Sequence, residues 1–102
     1  MMNEKQRVIA ANHPSLAGHF PGHPITPGIV ILDEVIQMLA EQWPDRQPIG
    51  IPIVKFLAPL RPEQPFKIRI FESGHLRVRF ECIQENGLLL AQGYLLLADT
   101  SN

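Results

Sequence analysis

Four prolines, Pro14, Pro21, Pro24 and Pro27, crowd the stretch that precedes an apolar segment starting at Gly28. Each proline fixes φ and removes a backbone donor, so residues 12–27 read as a loop. Pro27 falls where a helix start tolerates proline, and residues 28–43 read as the one helix of the chain, ended by Pro44. Trp43 is driven out of helical geometry as the residue before a proline. Ile29, Leu32, Ile36, Leu39 and Ala40 recur at three- and four-residue spacing, and Val35 and Trp43 add apolar surface. Glu34, Glu41 and Gln42 leave only a narrow polar side, so other structure has to wrap this helix. A loop of such length in so short a chain is functional more often than idle.

The remaining segments read as β. Residues 5–11 form a first strand, with Val8 and Ile9 β-branched. Residues 51–60 are an apolar run broken by Pro52 and Pro59. Residues 65–72 alternate, placing Phe66, Ile68 and Ile70 on one face and Lys67 and Arg69 on the other. Residues 75–84 alternate again, with Leu76, Val78, Phe80 and Cys82 inward and Arg77, Arg79 and Glu81 outward. Asn86-Gly87 predicts a hairpin closed by a type I′ turn. Residues 88–97 form the last strand, and 99–102 a frayed tail. The expected topology is strand, long loop, buried helix, then an antiparallel meander of about four strands. One sheet covers one side of a helix, so a second subunit is expected on the other.

Length and charge bound the function. One hundred and two residues suit a single domain, 1–102, and a chain this short is often stabilised by oligomerisation. Apolar residues make up 45% of the chain, which fits a globular protein. A net charge of −1 leaves no basic footprint for nucleic acid and no polybasic patch for a membrane surface. No apolar run approaches the roughly 18 residues of a membrane span, and the charged N-terminus lacks the apolar core of a signal peptide. The lone Cys82 reads as a buried core thiol and fits a reducing cytoplasm.

The segment Gly18-His19-Phe20-Pro21-Gly22-His23-Pro24-Ile25-Thr26-Pro27-Gly28 carries the chemistry. It sets an imidazole in a rigid loop, beside a helix start and an isolated acid at Asp33. His19 and His23 have the spacing of a helical metal pair, but Pro21 and Gly22 preclude the helix, so no metal is expected. His23 reads as an exposed loop residue, His13 and His75 as solvent-facing, and Arg77 and Arg79 as a solvated strand face.

His19-Phe20-Pro21-Gly22-x-Pro24-x-x-Pro27-Gly28, followed by Leu32-Asp33 and Gln37, resembles the β-hydroxyacyl-acyl carrier protein dehydratases of the hot-dog fold. Phe56-Leu57-Ala58-Pro59-Leu60-Arg61-Pro62 is similar to that family's strand after the helix. The resemblance implies an α+β hot-dog fold, a curved antiparallel sheet around one long central helix, paired as a homodimer with active sites at the interface. It implies that His19 is the catalytic histidine, Asp33 the catalytic acid from the other subunit, Gln37 its support and Gly28 the carbonyl-binding backbone donor. It further implies a substrate held by acyl carrier protein, or an acyl-CoA, in fatty acid, polyene or related lipid biosynthesis, with no metal or redox cofactor. Three features depart from the pattern: the chain is short, Thr26 replaces a bulky apolar residue, and Asp33 accompanies a loop that usually goes with Glu.

These residue types suit removal of water from a 3-hydroxyacyl thioester. His19 titrates near neutrality and can take the C2 proton. The Gly28 N–H has no intrahelical acceptor and can meet the developing oxyanion, while glycine lets the thioester approach. Asp33, expected to be desolvated by Ile29, Val30, Leu32 and Ile36, can protonate the leaving hydroxyl, and Gln37 sits one turn on to bond it. A scheme in which His19 makes both proton transfers is equally open. A hot-dog thioesterase and a non-catalytic acyl-binding subunit are the alternatives.

Overall fold

A computed structural model describes residues 2–13 and 25–98. In chain order the elements are β1 (Met2–Arg7), α1 (Gly28–Gln42), β2 (Pro48–Phe56), β3 (Phe66–Glu72), β4 (Arg77–Gln84) and β5 (Leu89–Leu97). The five strands form one antiparallel sheet in the order β1-β3-β4-β5-β2. Only β3, β4 and β5 are the expected meander. β2 runs past β3 to pair with β5 at the far edge, and β1 takes the opposite edge beside β3. Alternation alone does not rank strands by neighbour, so this order was not in the pattern.

The inward faces are as the alternation requires. Phe66, Ile68, Ile70, Val78, Phe80 and Cys82 are fully or almost fully buried. They meet Val30, Ile31, Leu32, Val35, Met38 and Leu39 of α1 in one apolar core. Full burial of a side chain such as Leu39 or Met38 contributes about 1.5–3 kcal/mol. The helix presents a different stripe from the expected one. Ile29 is 69% exposed, Ala40 is exposed, and Ile36 is half-buried. With Asp33 and Gln37 they leave one face of α1 uncovered by its own sheet.

Strand ends differ from the sequence reading for local reasons. β1 covers Met2–Arg7 rather than 5–11, because Arg7 pairs with Phe66, the first residue of β3. The residue before it, Pro65, has no N–H to continue the ladder. β2 begins earlier than 51 and stops at Phe56, with register shifts around Gly50 and Pro52 that an edge strand tolerates. The 84–88 turn is not type I′, since Asn86 has no positive φ. Only Gly87 does, at φ 90°, and its N–H donates to the Gln84 carbonyl at 2.9 Å. That is a type I turn followed by a glycine bulge, the three-residue solution to the same hairpin.

The outer sheet face is charged but not simply solvated. The Arg77 guanidinium lies 4.0 Å from the Tyr94 ring centroid, and Arg79 lies 5.1 Å from Phe71 while pairing with Glu81. At the β1 edge Arg69 bonds Glu4, and Arg7 bonds Glu41 of α1, each at 2.6 Å. The Arg7 guanidinium beside Glu41 and the Arg69 guanidinium beside Glu4 hold both carboxyls below the usual carboxylate range. His75 is exposed in the β3–β4 turn, as expected.

Burial pushes the Cys82 thiol up to about 12 from an ordinary 9.0. The unfolded thiol therefore ionises first, and stability present below pH 9.0 declines as pH rises towards 12. Relative to Cys82→Ala, the wild-type protein should lose about 1 kcal/mol of unfolding free energy between about pH 8 and about pH 10. Parallel urea titrations of the two proteins measure this difference.

Candidate active site

The site grows from the start of α1. Pro27 caps the helix with φ −59° and ψ 145° and offers no side-chain bond. Its carbonyl accepts the Val30 N–H at 3.0 Å. The N–H groups of Gly28 and Ile29 have no helical acceptor and carry the positive end of the helix dipole. A Cβ on Gly28 would lie 2.7–2.9 Å from the Phe56 ring, so glycine here seats an aromatic wall directly on the helix start. Phe56, 48% exposed, thus occupies the side of Gly28 that was expected to admit the thioester.

A cleft of about 500 Å³ opens beside this wall, lined by Thr26, Gly28, Ile29, Ile31, Phe56 and Leu60 among others. Thr26 is buried, and its N–H donates to the Leu60 carbonyl at 2.7 Å. Its hydroxyl has no hydrogen-bond partner among the described residues.

Asp33 stands on the uncovered face of α1, and Gln37 Nε2 donates to Asp33 Oδ2 at 2.8 Å. Four-residue spacing stacks the two side chains one turn apart. The expected burial of Asp33 by Ile29, Val30, Leu32 and Ile36 is not met: the carboxylate is exposed. Leu32 turns into the core, and the mostly buried Val30 lines the acid's cleft with Ile29 and Ile36 without covering the carboxyl. A second cleft of about 250 Å³ contains Asp33 together with His13, Ile29, Val30 and Ile36. His13 is therefore half-buried in the acid's own cleft rather than solvent-facing. Nothing in the spacing of His13 and Asp33 along the chain signals that meeting. Ile29 lines both clefts, so the helix start and the acid are neighbours.

Gly28, Asp33 and Gln37 are thus placed together by one helix. His19 and His23 lie outside the described residues. A third cleft, about 260 Å³, lies among Lys55, Arg79, Gln92 and Tyr94 on the sheet face turned away from α1.

This architecture is the α+β hot-dog fold. The dehydratase heterocomplex ApeI:P from Xenorhabdus doucetiae superposes with a TM-score of 0.79 over 96% of this chain and 88% of that one, at 24% identity. An (R)-hydratase from A. caviae involved in PHA biosynthesis gives 0.72 over 95% and 92%, at 13% identity. Residues 3–94 match the ApeI-like family, described as ApeI dehydratase, and the chain belongs to that family. Among curated proteins, the 3-hydroxyacyl-acyl-carrier-protein dehydratase FabZ of Thermomicrobium roseum is 29% identical, with 88% of this chain matching 68% of that one. FabZ of Fusobacterium nucleatum is 37% identical where 56% of this chain matches 45% of that protein. Several of these relatives are thus matched over about half their length or less. No helix among the described residues is long and apolar enough to cross a membrane.

Because the Thr26 hydroxyl is buried without a partner among the described residues, Thr26→Val should raise unfolding stability by about 1 kcal/mol. Thermal melting of the two proteins reads the change, which should appear as a higher Tm.

Proposed function

We propose that this protein removes water from a 3-hydroxyacyl thioester to give the 2-enoyl thioester. The observation that carries the reading is the Asp33–Gln37 pair, set beside the open helix start at Gly28, in a member of a dehydratase family. The thioester carbonyl accepts from the Gly28 N–H, where the helix dipole favours the negative charge that grows on oxygen. His19 takes the C2 proton. The C3–O bond breaks as Asp33 gives its proton to the departing hydroxyl, which leaves as water. Gln37 holds the carboxyl in register. The thiol portion of the substrate is a carrier protein's phosphopantetheine arm or coenzyme A, in line with the activity that the FabZ relatives are named for.

The working unit is a homodimer. β2 is an edge strand with Ile49 68%, Ile51 41% and Ile53 48% exposed, an apolar strip that a second copy would cover. The same partner covers the Ile29–Asp33 face, brings its own His19 to this Asp33, and supplies the desolvation that one chain lacks.

Incubation with a 3-hydroxyacyl thioester, followed by mass spectrometry, decides the reaction. Loss of one water supports dehydration; release of free acid assigns hydrolysis, and an unchanged thioester that stays bound assigns a non-catalytic acyl-binding role. His19→Ala should slow turnover by about 10²–10⁴, and Asp33→Asn should fold normally and lose most activity. Full activity in either variant removes that residue from the mechanism. In sedimentation, the wild-type protein should run as a dimer, and Ile51→Lys combined with Ile53→Lys should run as an inactive monomer. A wild-type monomer that turns over substrate overturns the shared site.

A further inference from the structure

The segment that carries His13 is clamped by a residue fifty positions further along the chain. Glu63 is one of two non-glycine residues with positive φ among those described, at 67°. Two bonds leave it for the same stretch of chain. Its N–H donates to the Ile9 carbonyl at 2.8 Å, and its Oε1 accepts the Ala11 N–H at 2.6 Å. Ile9 is anchored in the core at 3% exposure, and the His13 N–H closes a turn onto the Ala10 carbonyl at 3.1 Å. The outcome is a fixed turn whose last residue, the half-buried His13, lines the cleft of Asp33. Backbone conformations that cost energy persist where the surroundings over-determine them, and they gather at sites that need a group held still.

The cleft has a simple polarity. Ile29, Val30 and Ile36 give it apolar walls, and its titratable side chains among the described residues are His13 and Asp33, from different segments of the same chain. A chain carrying one hydroxyl fits that pattern, with carbon against the isoleucines and oxygen between the polar groups. Resting on the dehydratase reading, we propose that His13 touches substrate, holding the C3 hydroxyl against Asp33, and that Glu63 is the positioning residue that sets His13 there. An imidazole can donate to the hydroxyl oxygen while that oxygen receives the Asp33 proton, so the leaving water is held from two sides. His13 transfers no proton in this role; it orients.

The test uses the full chain and 3-hydroxybutyryl N-acetylcysteamine as probe. His13→Ala should lower kcat at least about tenfold, with KM nearly unchanged and the Tm close to wild type. His13→Gln, which keeps a side-chain donor, should recover part of the rate. Glu63→Gly removes the side-chain half of the clamp, the bond to Ala11, at a position whose backbone glycine adopts readily, so it should lower kcat without unfolding the protein. Glu63→Gln keeps an acceptor for Ala11 and should stay near wild type. The combined variant Glu63→Gly with His13→Ala should be no slower than His13→Ala alone, because one residue acts through the other. Unchanged kcat in His13→Ala overturns the proposal, and additive losses in the double variant overturn the positioning role. The His13 ring resonances should also shift on adding the probe, a readout that does not require turnover. Wild-type protein that dehydrates nothing defeats the dehydratase reading; ring resonances that ignore the probe defeat the role of His13 whether or not water is lost.

Discussion

Everything in this molecule depends on how α1 divides its apolar surface. Val30, Ile31, Leu32, Val35, Met38 and Leu39 are committed to the sheet, where they meet Phe66, Ile68, Ile70, Phe80 and their neighbours. Ile29, Asp33, Gln37 and Ala40 are left on the far side. The first group holds the fold together through burial alone, since α1 has no side-chain cap and no acidic residue in its first turn. The second group is free to do chemistry because the core does not need it. A helix apolar all round would have no room for the acid, and a conventionally amphipathic one would give it no apolar neighbours.

The helix start adds a second constraint. Proline at the cap and glycine behind it leave the first N–H groups without helical acceptors, and Phe56 from the end of β2 packs against the side of Gly28 where a Cβ would stand. The packing that requires glycine is thus aromatic contact from the sheet. Donor, wall and acid are consecutive features of one short stretch of surface, with Ile29 between them. The spacing of donor and acid is fixed by helical geometry and does not rely on loops, so that pair is rigid at little entropic cost.

Much of this was legible in the residues. The Pro27 and Pro44 boundaries, the alternation through β3 and β4, the burial of Cys82 and the Asp33-to-Gln37 spacing are local rules, and each has its counterpart in the fold. The failures were non-local. Which edge β2 would take, that β1 would stop at Arg7 opposite Phe66, just short of the proline before β3, and that the buried stripe of α1 would omit Ile29 and Ala40 all depend on contacts between distant segments. A nearly all-apolar helix has no unique moment to read, so its buried side is chosen by the sheet it meets.

The sequence by itself determined where the chain bends, where the helix begins and ends, and which residue types could move a proton, because proline geometry and side-chain chemistry act within a few residues. Only the tertiary structure decided that Asp33 faces outward, that Phe56 closes on Gly28, and that His13 shares the cleft of the acid while Glu63 pins the turn before it. Those outcomes follow from sheet order and close packing, which couple residues far apart in the chain and leave no trace in local pattern.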